Sequence, residues 1–210
     1  MKKLKYKKKF IYLISPNKIE NNFYTQLKQV LKVRNVKFFQ LRLKKYSEKE
    51  IINIGKKIKR ICKNFNVKLI INDSPLLAKK LNADGCHIGQ KDMDLIKCRK
   101  ILGKNKIIGI TCHNSKKLAL HAKKNGANYV AFGAFFKSST KKTAFKANLE
   151  ILRWARKKIN MPVVAIGGIN SSNYRKILSG GADFVACSSY IWKNKKLDPV
   201  SAIKKFEQKK

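Results

Sequence analysis

The sequence predicts an α/β protein folded as one eight-stranded (β/α)8 barrel of the TIM type, and three observations predict it. Short apolar runs alternate with segments of helical periodicity eight times along the 210 residues, the alternation from which parallel sheets are built. No linker or shift in composition divides the chain, so residues 1–210 read as a single domain with 1–9 as a basic N-terminal tail. Three strand entries share a short signature: NADG at 82–85, GANY at 126–129 and GADF at 181–184. An open doubly wound sheet satisfies the same alternation, because one sequence does not show closure. Eight repeats in a single domain favour the barrel.

The elements follow in order. FIYLISP at 10–16 is the first strand, and 19–33 carries apolar residues at helical spacing. VKFFQLRL at 36–43 is the second strand, and alternation puts Gln40, Arg42 and Lys44 on one face. Ser47 with Glu50 is a capping box that opens the second helix. KLIIN at 68–72 and GCHIG at 85–89 are the third and fourth strands, joined by the helical PLLAKKLNA; DLIKCRKIL at 94–102 is the next helix. KIIGITC at 106–112 is the fifth strand, leading to Thr111, Cys112 and His113, and the helix after it closes on Gly126. YVAFGAF at 129–135 is the sixth strand, followed by a polar loop over 136–147 and a helix over 148–158. PVVAIGG at 162–168 is the seventh strand, with a helix expected from Asn170 to Leu178. FVACSS at 184–189 is the eighth, and a last helix starts at Asp198.

In such a barrel the chemistry gathers where the strands end. Asp73 and Asp92 follow the third and fourth strands, whose short crossover makes them a parallel pair, so two carboxylates meet at one sheet edge. Oxygen ligands of this kind suit Mg²⁺ and a phosphorylated substrate. Each aspartate taken alone has a second reading, as the N-cap of the helix that follows it. Gly167-Gly168 after the seventh strand and Ser188-Ser189 after the eighth each precede a helix, where backbone N–H groups can hold a phosphate.

Fifty Lys and Arg against 11 Asp and Glu give a net charge of +39. Such a charge ordinarily points to nucleic acid or an anionic membrane. Here the lysines are spread through the chain among Asn and Ile, without an RNA-binding motif, as an AT-rich coding sequence would also produce. The expected partners are small phosphorylated molecules, with no specific nucleic acid and no membrane; the oligomeric state is not legible. Cys62, Cys86, Cys98, Cys112 and Cys187 form no CxxC pair and read as reduced, mostly core-filling thiols of a cytoplasmic protein. The apolar run FIYLI is too short for a signal-peptide core. His87, His121, Trp154 and Trp192 read as structural, and 204–210 as a solvated tail.

Taken together, QLRLK (40–44), IND (71–73), ADGCHIGQKD (83–92), GITCH (109–113), YVAFGAFF (129–136), STK (139–141), VAIGGI (164–169) and the run at 181–192 resemble thiamine phosphate synthase, and most of all its alphaproteobacterial branch. The resemblance covers essentially the whole chain. It implies a Mg²⁺-dependent transferase that joins hydroxymethylpyrimidine diphosphate to a thiazole phosphate, releasing pyrophosphate by a dissociative displacement. Under it, the segment Gln40, Leu41, Arg42, Leu43, Lys44 together with Asn72 would bind the pyrimidine diphosphate, and Asp73 and Asp92 would hold Mg²⁺. Thr111 would contact the pyrimidine, Ser138, Ser139 and Thr140 the thiazole phosphate, and Lys141 the diphosphate. Gly168, Ser188 and Ser189 would bind the phosphate of the thiazole. Arg42, Lys141 and Thr111 would be the catalytic groups.

Two positions depart from the family pattern: Ser74 where NDR is common, and Lys137-Ser138 where Pro-Thr is usual. A related thiazole tautomerase, metal-free and using a histidine that matches His113, is the rival on the same fold; such relatives usually lack the aspartate of GQKD. On the synthase reading His113 is a hydrogen-bonding support behind the site. A rival of another class is a basic nucleic-acid-binding barrel.

Overall fold

The structure, a computed structural model, describes residues 10–33, 35–137 and 145–207. The basic tail at 1–9, the expected site residues Ser138, Ser139, Thr140 and Lys141, and the last three residues lie outside the described residues.

Eight strands, β1 (Phe10–Ile14), β2 (Val36–Leu41), β3 (Lys68–Asn72), β4 (Gly85–Ile88), β5 (Ile107–His113), β6 (Tyr129–Phe132), β7 (Val163–Ile166) and β8 (Phe184–Cys187), form a closed parallel barrel in sequence order. β8 pairs back onto β1 from Phe10 opposite Phe184 to Leu13 opposite Cys187, which removes the open-sheet alternative. Helices α1 (Phe23–Leu31), α2 (Glu48–Asn64), α3 (Pro75–Lys80), α4 (Leu95–Leu102), α5 (Lys116–Lys124), α6 (Leu149–Lys158) and α7 (Tyr174–Ser179) fill the crossovers. A four-residue α8 (Ser189–Trp192) and then α9 (Pro199–Lys204) follow β8. Among the described residues no helix is long and apolar enough to cross a membrane.

Strand alternation divides the core in two. Tyr12, Phe38, Ile70, Tyr129, Val164 and Phe184 pack inside the barrel. Their chain neighbours Leu13, Phe39, Ile71, Val130, Ala165 and Val185 pack outward under the helices. All five cysteines are free and buried, as expected of core-filling thiols.

The repeated strand-entry signature has a physical basis. Asp84, Asn128 and Asp183 stand at the same place, just before β4, β6 and β8. Each donates its main-chain N–H to a carbonyl of the preceding strand, at Leu69, Ile108 and Val163 (2.7–2.9 Å). Each then takes the N–H of that same residue on its side-chain oxygen, at 2.9, 2.8 and 2.9 Å. The side chain thus extends the ladder by one rung where the strands begin. The alanine beside each, Ala83, Ala127 or Ala182, is buried.

Helix starts follow their caps. Ser47 and Glu50 form the capping box expected of α2. The helix expected from Asn170 begins only at Tyr174, because the Asn170 side chain accepts the N–H groups of Ser172 and Asn173 at 2.9 and 3.2 Å and holds a turn instead. The expected C-terminal tail is also shorter than read: Phe206 is buried, its ring 5.1 Å from that of Tyr174 and 5.4 Å from that of Tyr190. Aromatic burial outweighs the basic residues on either side.

The stitching residues give a direct stability test. Asp183→Ala leaves the Val163 N–H without its acceptor, at a cost of about 1–3 kcal/mol. Asp183→Asn should recover most of that loss, since Asn128 fills the equivalent place. Denaturant midpoints for the two variants check this, and equal losses would contradict it.

Candidate active site

The mouth of the barrel is assembled from strand ends and the turns after them. At the end of β1, Ser15 is a buried polar residue whose hydroxyl oxygen accepts the Arg42 N–H at 2.9 Å. Its carbonyl accepts the Ser188 hydroxyl at 3.0 Å. Ser15 therefore ties together the turns after β1, β2 and β8. Sequence reading passed over it, although Ser-Pro directly after an apolar strand was the available signal.

The 40–44 segment divides by face. Gln40 is buried inside the barrel, where its amide donates to the Tyr12 hydroxyl at 3.1 Å. Arg42 is half-buried, and Lys44 is exposed with its Nζ 3.3 Å from the Asp73 carboxylate. Leu41 and Leu43 are buried in the outer core, so their side chains point away from the mouth and only their main chain faces it.

Asp73 and Asp92 meet as expected. Asp73 turns out of β3 in the left-handed region (φ 63°), with its N–H donating to the His87 carbonyl at 2.7 Å. Asp92 accepts the Gly89 N–H at 2.7 Å, and its carboxylate lies within hydrogen-bonding reach of Asp73. Neither aspartate is a helix cap. Ser74 caps α3 by accepting from Leu77, and Asp94 caps α4 by accepting from Ile96 and Lys97. Ser74, the departure from the family pattern, thus has a local role of its own. The Asp73 carboxyl is held above its ordinary value, first by burial and then by Asp92, while Lys44 pulls it down. An open cleft of about 590 Å³ runs beside the pair, lined among others by Ser74, Lys91 and Lys97.

Asn72 is half-buried at the end of β3, paired with His87 of β4. Thr111, half-buried on β5, has its hydroxyl 2.9 Å from His87 Nε2, and the other ring nitrogen of His87 is 2.9 Å from the Tyr129 hydroxyl. Burial pushes the His87 imidazole down to about 4, so it is neutral at physiological pH. His87, expected to be structural, belongs to a polar line that sequence reading did not see. His113 stacks on Phe145 with ring centroids 4.0 Å apart.

The phosphate-side residues are brought together only in part. Gly168 (φ 63°) adopts a conformation that favours glycine, and a Cβ there would lie 2.3 Å from the Lys137 carbonyl. That contact packs the turn after β6 onto the turn after β7. Gly167-Gly168 does not directly precede a helix, since the Asn170 turn intervenes. Ser188 and Ser189 do stand at the start of α8, and the Tyr190 hydroxyl donates to Ser171 at 2.7 Å, joining the turns after β7 and β8.

A closed parallel barrel whose mouth gathers paired carboxylates, flanking cations and glycine–serine turns defines an enzyme of the phosphate-handling TIM-barrel class. The family model described as "Thiamine monophosphate synthase" matches residues 11–191, and the chain belongs to that family. It is 58% identical to a thiamine-phosphate synthase of Pelagibacter ubique over 99% of this chain and 100% of that one. It is 39% identical to a thiamine-phosphate synthase of Erythrobacter litoralis, covering 94% of this chain and 93% of the relative. Among solved structures, the thiamine phosphate pyrophosphorylase of Pyrococcus furiosus superposes with a TM-score of 0.83 at 28% identity, covering 93% of this chain and 92% of the other.

The carboxylate pair carries a pH-dependent cost. A carboxyl that titrates higher in the folded than in the unfolded state loses stability as pH rises from the ordinary Asp range, about 3.9, through its raised value. Asp92→Asn removes the facing charge and keeps an oxygen for the Gly89 N–H. In chelator at neutral pH this variant should therefore melt above the parent. The gap should close as pH falls and Asp73 protonates, which thermal unfolding at stepped pH would record. A variant that melts lower at neutral pH would contradict the assigned repulsion.

Proposed function

We propose that this enzyme condenses hydroxymethylpyrimidine diphosphate with a thiazole phosphate to give thiamine phosphate and pyrophosphate, with Asp73 and Asp92 holding Mg²⁺. The observation that carries this reading is the convergence of two carboxylates that cap no helix beside a lysine that already pairs with one of them. No group of three or more His, Cys, Asp or Glu side chains is gathered for a metal among the described residues. Two carboxylates fit Mg²⁺ nonetheless, because that ion keeps several waters and substrate phosphate oxygens in its shell. When bound, it supplies charge neutralisation for the leaving pyrophosphate.

The other roles fall to the chain itself. The methylene C–O bond to the diphosphate breaks with its electron pair leaving on pyrophosphate, and the thiazole nitrogen forms the new C–N bond. Arg42 and Lys44, together with Lys141 as the family resemblance implies, stabilise the charge that develops on the departing group. Gln40 and Asn72 orient the pyrimidine end, and Thr111 offers its hydroxyl. Gly168, Ser188 and Ser189 hold the thiazole phosphate, a role the family resemblance gives to Ser138, Ser139 and Thr140 as well. The Ser188 hydroxyl proton is committed to the Ser15 carbonyl, so its contact with phosphate runs through the main chain. No general base is required, because the electron-rich aminopyrimidine carries the cationic charge. Asp92 weighs against the metal-free tautomerase, whose relatives usually lack it.

One assay tests the whole reading: the chain with both substrates, with and without Mg²⁺, should form thiamine phosphate only when all three are present. Asp73→Asn and Asp92→Asn should each nearly abolish synthesis while the barrel stays folded. The double variant should cost little more than either alone, since groups that act as a unit are not additive. An active, metal-independent Asp92→Asn enzyme would overturn the mechanism.

A further inference from the structure

Five side chains form one hydrogen-bonded line from the barrel interior to the mouth. Gln40 Nε2 donates to the Tyr12 hydroxyl at 3.1 Å, and the Tyr12 and Tyr129 hydroxyls lie 2.7 Å apart. The Tyr129 hydroxyl is 2.9 Å from His87 Nδ1, and His87 Nε2 is 2.9 Å from Thr111 Oγ1. Tyr12, Tyr129 and Gln40 are buried, so water does not compete for these bonds. Gly109 makes the line possible: a Cβ there would lie 1.8 Å from Cζ of Tyr129, so the ring crosses the barrel only because β5 carries a glycine.

With the Gln40 amide nitrogen facing the Tyr12 hydroxyl, the line has one self-consistent direction. An amide N–H can only donate, so Tyr12 accepts from Gln40. Tyr12 then passes its own proton to Tyr129, Tyr129 donates to Nδ1, and the ring hydrogen of His87 sits on Nε2 and goes to Thr111. Run the other way, the Tyr12 oxygen would accept from both neighbours. Its own proton would be a buried donor with no acceptor in the line, which folded proteins avoid.

We infer that this relay fixes Thr111 as an outward-facing donor, with His87, Tyr129 and Tyr12 as positioning residues for the reaction. With its oxygen already accepting from His87, Thr111 turns its hydroxyl proton toward the mouth, to an acceptor atom of the bound pyrimidine diphosphate. A phosphorylated anion offers acceptors, so a donor is what it needs there. In the reverse direction Thr111 would donate into the protein and present only a lone pair. The main chain of Thr111 is pinned as well, because the Gln90 amide donates to its carbonyl. The inference rests on the synthase reading for its ligand and on the geometry alone for its direction.

Two measurements test it. In ¹⁵N spectra of the full chain with labelled histidine rings, and with the His87 signal assigned through His87→Gln, the proton should sit on Nε2 and Nδ1 should be bare. A ring protonated on Nδ1 alone overturns the relay whatever the activity. In kinetics, Thr111→Val and Tyr129→Phe should each lower kcat on the order of 10–100-fold, the usual range for a supporting hydrogen bond. The double variant should be no worse than Thr111→Val alone. Fully additive losses would make Tyr129 a merely structural residue and overturn the inference. If the variants failed to fold, the spectrum of the unaltered chain would still decide. An unaltered chain that formed no thiamine phosphate would fail the synthase reading and not the relay.

Discussion

The pairing of β8 with β1, from Phe10 opposite Phe184 to Leu13 opposite Cys187, turns a row of strands into a ring. Every parallel strand then ends on the same rim, so turns far apart in sequence share one mouth. Ser188 reaches the Ser15 carbonyl because of that closure, and Ser15 in turn meets Arg42 through the β1–β2 pair. Trp192 depends on it too, since its indole N–H donates at 2.7 Å to the Ile14 carbonyl from the far end of the chain. The ring also makes a closed interior, and a polar line across it becomes a route from one wall to the rim.

Much of this was legible in the sequence, and the gaps have physical causes. The strands could be read because each is a short apolar run bounded by a turn. The aspartate pair could not be resolved by sequence alone, because Ser74 and Asp94 stand close beside Asp73 and Asp92 and are equally good caps. Only the backbone course decides which of two neighbouring oxygens faces the helix N–H groups. Tyr12 and Tyr129 were hidden for another reason: in an apolar strand a tyrosine reads as one more hydrophobic residue, and its hydroxyl acquires meaning only once strand order brings the two together. At Asn170 a helical pattern lost to a local side-chain turn.

The acid-poor composition leaves its mark on how the cations are used. With 11 acidic residues for 50 basic ones, most cations have no carboxylate to pair with. Several bind main-chain carbonyls at helix ends and strand entries instead. Lys59 reaches the Leu81 carbonyl at 3.1 Å, Lys106 that of Ala83 at 2.7 Å and Lys123 that of Lys158 at 3.0 Å. Arg99 binds the carbonyls of Gly103, Lys106 and Gly126. These contacts complement the negative ends of peptide dipoles, and they account for part of the charge without any polyanionic partner.

The stitches made by Asp84, Asn128 and Asp183 divide the barrel unevenly. Each binds an even-numbered strand to the odd-numbered strand before it. These side-chain ties therefore lie within pairs of strands and not between the pairs. A recombination joint, or a new terminus made by circular permutation, placed just before β5 or β7 keeps each stitch within one segment. The same cut placed before β4, β6 or β8 severs one, so the tolerated seams of this barrel alternate around the end where its strands begin.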